Sequence, residues 1–391
     1  MRAGAVTAEL ALASAVREDG GRIVAHLIGA FGWDLAEEAV QEAYAAALVA
    51  WRRDGVPAQP RAWLTTTARN RAIDRVRRSR VEEAKLRSLP VWESPPPSEF
   101  PDERLRLLFT CCHPALSLES QVTLALRTLC GLTVEEIART FLVPAPTMAK
   151  RLVRTRKKIQ VAGIPYRVPR ADQLPARTAA VLATIYLLFH QGYADERADL
   201  RSHARHLATL VDSLMPDVPE AAGLLALLLL LDARSDARVR DGVLVPLDEQ
   251  DHSLWDRPMI TAGEAALRRA LSRSRPGRYQ LQALIAACHV QEVTDWPAVV
   301  RLYDRLLPLL PSDTVRLNRA IALSMRDGPD LGLLDALGDH PLLPATRADF
   351  HRRLGDHAAA VVAYRSALAR ATSAPERAFL QRRITELPSG E

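Results

Sequence analysis

Apolar residues along this chain recur every three to four positions far more often than every two, which predicts helices and little sheet. Between Leu35 and Trp51, one stripe is made by Ala36, Ala39, Val40, Ala43, Tyr44, Ala47, Leu48 and Trp51. Glu37, Glu38, Gln41 and Glu42 lie beside or opposite it. Asp34 is placed to cap this helix, with Glu37 three positions on completing a capping box. In the segment 61–78, a turn of about 100° per residue puts Trp63, Thr66, Thr67, Asn70, Asp74 and Arg77 on one face and Ala68, Ala72 and Val76 on another.

Further on, Gln121 to Cys130 reads as a helix ended by Gly131. Thr133 with Glu136 makes a capping box for a short helix, Val134 to Thr140. A turn over Phe141 to Ala145 follows, and Pro146 suits the first position of a helix running to Gln160. On that helix Met148, Leu152, Thr155 and Ile159 form an inward stripe. Thr147, Lys150, Arg151, Arg154 and Lys158 form an outward one. Helix, short helix, turn and basic helix is the order of a helix-turn-helix whose recognition helix comes last.

Punctuation divides the chain. A first helical segment covers 1–80, and a linker over 81–102 holds Pro90, Pro95, Pro96, Pro97 and Pro101, too dense for regular structure. A compact helical unit covers 103–162. Gly163 to Pro169 forms a second short linker, and a helical remainder spans 170–391. Within it, Leu302-Tyr303-Asp304-Arg305-Leu306-Leu307 resembles Ala363-Tyr364-Arg365-Ser366-Ala367-Leu368 at about twice a helix-pair period. The predicted fold class is all-α.

Charge changes the picture. Net charge is +6, with 52 Lys+Arg against 46 Asp+Glu. Residues 1–170 hold 26 basic and 18 acidic side chains, a net of +8, and the rest hold 26 and 28, a net of −2. Any polyanion is therefore handled by the first part. Arg69, Arg71, Arg75, Arg77, Arg78 and Arg80 crowd 12 residues, and their mutual repulsion needs an offset such as phosphate. An indole beside hydroxyls, an amide and guanidinium groups suits unstacked bases, although a helix with a buried Trp and a solvated basic side has the same pattern. The acidic face of 37–42 reads, on spacing alone, as a solvated surface.

Two other clusters invite chemistry. Cys111, Cys112 and His113 could ligate a metal, but adjacent cysteines rarely reach one tetrahedral zinc, so they read as buried small residues at a helix start. Asp248, Glu249, Asp251, His252 and Asp256 could serve as acid and base, or could cap and brace a junction around Trp255. The four cysteines make no disulfide framework, and the longest apolar run, Ala221 to Leu231, has 11 residues, short of a membrane span. A cytoplasmic protein without a cofactor, a metal or membrane attachment is expected.

These stretches carry a resemblance. Glu37-Glu38-Ala39-Val40-Gln41-Glu42, Pro60-Arg61-Ala62-Trp63-Leu64 and Ala68-Arg69-Asn70-Arg71-Ala72-Ile73-Asp74-Arg75 resemble region 2 of extracytoplasmic-function RNA polymerase sigma factors. Leu132-Thr133-Val134-Glu135-Glu136-Ile137-Ala138 and Thr147-Met148-Ala149-Lys150-Arg151-Leu152 resemble their region 4. The remainder resembles the subgroup with a tetratricopeptide-like C-terminal extension, through Phe109 to Leu116, Tyr279 to His289 and Leu317-Asn318-Arg319-Ala320.

The resemblance implies a non-catalytic subunit that binds core RNA polymerase and promoter DNA. Glu37, Glu38, Gln41 and Glu42 would meet the polymerase clamp. The loop 52–60 and the face of Trp63, Thr66, Thr67, Asn70, Arg71, Asp74 and Arg77 would take the −10 element. Thr147, Lys150, Arg151, Arg154 and Lys158 would enter the −35 major groove, and the extension would regulate and offer a protein-binding surface. Two departures stand out: the first of these helices is alanine-rich after Glu42, and Lys150 sits where the family varies. Two other classes fit parts of the pattern: a helix-turn-helix regulator with a ligand-sensing helical domain, which needs no base-unstacking face, and a hydrolase using 248–256.

Overall fold

The computed structural model describes residues 2–83, 103–141, 143–194, 197–272, 276–335, 337–338, 340–371 and 373–388. The expected proline-rich linker lies outside the described residues, apart from 81–83. The chain divides into two compact units, Met1–Leu187 and Leu188–Glu391. Both are helical, as the periodicity predicts.

The first unit opens with α1 (Arg2–Phe31), α2 (Trp33–Asp54) and α3 (Pro60–Glu83) packed on one another. Small side chains let α2 and α3 close. Ala36, Ala39, Ala43 and Ala47 of α2 and Leu64, Ala68 and Ala72 of α3 are buried, and Trp51 seals one end. The expected Asp34 cap does not form. Gly32 takes the N-cap position at φ 79, its carbonyl accepts from Ala36 N–H at 3.1 Å, and no side chain caps the helix. A glycine can turn the chain sharply out of α1, so α2 begins one residue before Asp34, which then lies in the first turn. There its charge complements the helix N-terminus without capping it.

The rest of the unit comprises α4 (Glu103–Cys111), α5 (Leu118–Thr128), α6 (Val134–Thr140), α7 (Ala145–Val161) and the first part of α8 (Leu174–Ala194). The Thr133 capping box forms: Glu136 Oε2 accepts from Thr133 N–H at 2.7 Å, and Thr133 Oγ1 accepts from Glu136 N–H at 3.1 Å. Helix α7 starts at Ala145 with Pro144 as N-cap, so Pro146 is its second residue rather than its first. Neither position has an intrahelical acceptor for an N–H, so the proline costs nothing there. Cys111 and Cys112 end α4 rather than starting a helix. Residues 174–187 brace this part of the unit. Thr184 Oγ1 donates to Gln121 Oε1 at 2.9 Å, and Arg177 donates to the Phe109 carbonyl.

The second unit is centred on α10 (Pro219–Asp232), apolar on every side, with α9 (Ala198–Leu214), α11 (Arg257–Leu271) and α12 (Arg278–Cys288) against it. Leu224, Leu227, Leu228 and Leu230 are buried, each contributing about 1.5–3 kcal/mol. After these come α13 (Trp296–Leu306), α14 (Asp313–Asp327), α15 (Gly332–Asp335), α16 (Leu343–Arg353), α17 (His357–Arg370) and α18 (Ala374–Glu386). Successive helices share small cores: Leu281, Val299 and Val315 in one, Leu317 and Phe350 in the next, Ala348, Tyr364 and Leu380 in the last. A two-residue-per-strand hairpin, β1 (Val239–Arg240) with β2 (Val243–Leu244), carries α18 against it.

Candidate nucleic-acid interface

Helix α3 shows its polar face to solvent because Leu64, Ala68 and Ala72 occupy the opposite one. Thr66, Asn70, Arg71, Asp74 and Arg77 are exposed, and Trp63 and Thr67 are half-buried. Trp63 leans edge-on against Trp51, centroids 5.7 Å apart at 66°, so its orientation is fixed while part of the ring stays accessible. Beside this face, Asp19, Gln59, Arg61, Thr65 and Thr66 line an open cleft of about 860 Å³ between α1 and the start of α3.

On α2 the four expected positions part company. Gln41 is exposed. Arg75 of α3 takes Glu42 at 3.0 Å and also contacts Glu38. Glu37 is largely buried between two arginines from the later helices: Arg127 of α5, whose Nε donates at 2.7 Å, and Arg156 of α7. Next to this seat, burial pushes the Tyr44 phenol up to about 12. Sequence reasoning missed Arg127 and Arg156. No local spacing reports a partner 90 residues away, although Arg156 stands out as a cation lying off the outward stripe of α7.

That stripe is as expected in four of its five members. Thr147, Lys150, Arg154 and Lys158 are exposed, above buried Met148, Leu152, Thr155 and Ile159. Arg151 instead is half-buried and contacts Glu119 in the first turn of α5. Lys150, Arg154 and Lys158 have no carboxylate partner among the described residues, so the stripe keeps its positive charge for a ligand.

The two other clusters are occupied structurally. Cys111, Cys112 and Cys130 are buried, and burial raises the Cys112 and Cys130 thiols to about 12. His113 Nδ1 accepts from Ala115 N–H at 3.1 Å, and burial lowers its basicity. Asp251 caps Ser253, Asp256 caps α11 at Met259, and Glu249 takes Arg382 and Arg383, around a buried Trp255 stacked on His252. Among the described residues no group of three or more His, Cys, Asp or Glu is placed to hold a metal ion.

A helix-turn-helix with an unpartnered basic outer stripe, beside a bundle with a polar, arginine-rich face, has the build of a DNA-binding protein. Comparison with known families narrows this. Sigma-70 region 2 matches residues 22–81, Sigma-70 region 4 matches 106–159, and a family of unknown function (DUF6596) matches 177–271. An uncharacterized protein of Rhizobium meliloti (strain 1021) is 41% identical over 381 residues, covering 90% of each chain. No solved structure matches. Residues 22–159 thus carry sigma-70 regions 2 and 4, paired as in the extracytoplasmic-function type. These two regions support an alternative sigma factor that directs transcription initiation with core RNA polymerase on promoter DNA. No helix among the described residues is long and apolar enough to cross a membrane.

Proposed function

We propose that region 2 of this sigma factor docks on polymerase through Glu37, Glu38, Gln41 and Glu42, and opens the −10 element on Trp63, Thr66, Thr67, Asn70, Arg71, Asp74 and Arg77. Region 4 reads the −35 element through Thr147, Lys150, Arg151, Arg154 and Lys158. The observation that carries this reading is the disposition of α7: an apolar stripe inward, and three cations and a hydroxyl outward, the cations with no carboxylate partner among the described residues. Arg and Lys in that position reach guanine edges or phosphates, and only the former specify sequence. Arg151 enters the groove already held by Glu119, which orients its guanidinium. The second unit is a regulatory, tetratricopeptide-like extension, a role favoured by consecutive helices that share small cores and so present an extended surface.

Two measurements test it. Purified protein added to core polymerase yields promoter-specific transcripts from linear DNA; duplex binding without core, and no transcript with it, defeats the reading. For the extension, the full chain is compared with a chain ending at Leu187, since residues 174–187 brace region 4. Equal transcription at equal concentration, under inducing and non-inducing conditions, removes the regulatory role.

A further inference from the structure

Arginine keeps its charge at any physiological pH, and an arginine taken out of water is almost always paired with an acid. Arg234, between the end of α10 and the short turn Ser235–Ala237, departs from this. Only 8% of it is exposed, its Nε is buried with no hydrogen-bond partner, and its guanidinium meets no carboxylate among the described residues. The acids nearest in sequence are committed or turned out. Asp232 takes Arg201 and Arg205, Asp236 is exposed, and Asp256 caps α11 at Met259. The negative end of α10 offsets only a small part of what this charge costs.

Its surroundings are cationic and aromatic rather than acidic. Arg238 lays its guanidinium over the Tyr193 ring, Cζ 3.8 Å from the centroid, and donates Nη1 to the Tyr193 carbonyl at 3.0 Å. Phe189 stacks with Tyr193, centroids 5.6 Å apart at 25°. A guanidinium held flat on a ring and tied at one nitrogen still has N–H groups to give at its other edge. Burial works against the Arg234 cation, Tyr193 eases it, and the Arg238 charge opposes it again. His289, which burial and Arg234 keep uncharged, has its Nδ1 buried and unbonded and its ring 5.5 Å from that of Trp296. Tyr193, Arg238, His289 and Trp296 are each half-buried, so a small solute can reach the cluster from outside.

Packing alone does not call for this residue. An apolar side chain of similar volume in place of a buried ionic group is often neutral or stabilising. DNA cannot supply the missing anion, because a duplex phosphate stays at the surface and this guanidinium lies beneath it. A neutral ligand leaves both arginine charges unanswered. An oxyanion answers them, since a guanidinium offers two parallel N–H groups to a carboxylate or a phosphate.

We infer that Arg234 and Arg238, flanked by Tyr193, His289 and Trp296, form a binding site in the second unit for a small soluble oxyanion, the phosphate or carboxylate group of a metabolite. Arg234 takes that group with its paired N–H donors. Arg238 supplies a second charge from the rim, and the stack on Tyr193 and Phe189 holds it in place. The ligand stabilises the second unit by mass action. The site does not depend on how the chain meets polymerase or promoter.

The experiment titrates the full chain in Tris chloride with inorganic phosphate and, separately, with acetate, followed by calorimetry and by thermal unfolding. The expected result is one saturable site, and the tighter of the two ions identifies the group it takes. At about 100 times Kd, that ion raises the unfolding midpoint of the second unit by about 5–10 °C. Arg234→Met abolishes both responses and, before either ion is added, unfolds no lower than wild type, because it removes an unpaired buried charge. Arg234→Lys, which keeps the charge without the fork, and Arg238→Gln each weaken binding about fivefold or more. The inference is overturned if wild type binds neither ion or if Arg234→Met binds as wild type does. It is also overturned if Arg234→Met unfolds well below wild type while Arg234→Lys binds as tightly as wild type, which makes Arg234 a packing residue. Should Arg234→Met not fold, the other two variants decide: binding within about twofold of wild type in both rules the site out.

Discussion

Residues 1–170 and 171–391 carry 26 Lys+Arg each, yet they place them differently. In the second unit several of the cations are turned inward or paired, whereas Arg268, Arg301, Arg305 and Arg365 are exposed with no carboxylate partner among the described residues. Buried Asp232 takes Arg201 at 2.5 Å and Arg205 at 2.8 Å, Asp212 takes Arg269, and Asp304 takes Arg319. In the first unit Arg69, Arg71, Arg77, Lys150, Arg154, Lys157 and Lys158 are exposed with no carboxylate partner among the described residues. The difference lies in the acids: 18 in the first stretch and 28 in the second. Basic content does not make a nucleic-acid surface; cations left without acids on one helical face do.

This contrast can be broken in four places. Asp232→Ala strands two arginines in the core of the second unit and costs about 3–5 kcal/mol in denaturant unfolding. A cost under about 1 kcal/mol would mean that the inward arginines of that unit contribute little. His289 gives the second unit a pH dependence. Burial, with Arg234 nearby, holds its imidazole at about 4 against an ordinary 6.5. Below pH 6.5 the unfolded chain takes a proton that the folded one refuses until about pH 4. Stability therefore falls as pH drops through that window, by about 3 kcal/mol in all, and the residue contributes nothing above it. His289→Gln flattens this part of the stability–pH curve, and an unchanged curve would show that the imidazole is protonated in place.

In the first unit, Arg154→Ala weakens −35 binding by about 1–3 kcal/mol for the preferred sequence and less for others. A uniform loss across a panel of −35 variants would make it a phosphate contact. Thr133→Ala removes the capping box that sets α6 beneath α7 and costs about 1 kcal/mol of stability, read as a lower unfolding midpoint with an unchanged slope.

The helix-turn-helix was legible because its signals are local. The Thr133 and Glu136 box, the Met148, Leu152, Thr155 and Ile159 stripe, and the outward cations each follow from spacing within one helix or one turn. What escaped was tertiary. Whether Glu37 is solvated or clamped depends on where α5 and α7 lie, which no periodicity encodes. The Asp34 cap was displaced by Gly32, whose backbone freedom outcompeted a side-chain cap. The hairpin had a signal in Asp241-Gly242, whose φ values of 53 and 77 are those of a tight two-residue turn. Its flanking strands are two residues each, too short for alternation to show.

The packing of α18 on the hairpin has a consequence for how the chain is made. Arg382 meets Glu249 across 133 residues of sequence, so this contact carries a loop-closure cost that must be met before it stabilises anything. During synthesis α18 leaves the ribosome after every other helix of its unit. Until then a nascent chain complete through α17 has an uncovered strand edge and an unpaired Glu249. Joining α18 to the hairpin is therefore a late, slow step of cotranslational folding, and the window before it is when this unit is most open to misassociation and chaperone capture.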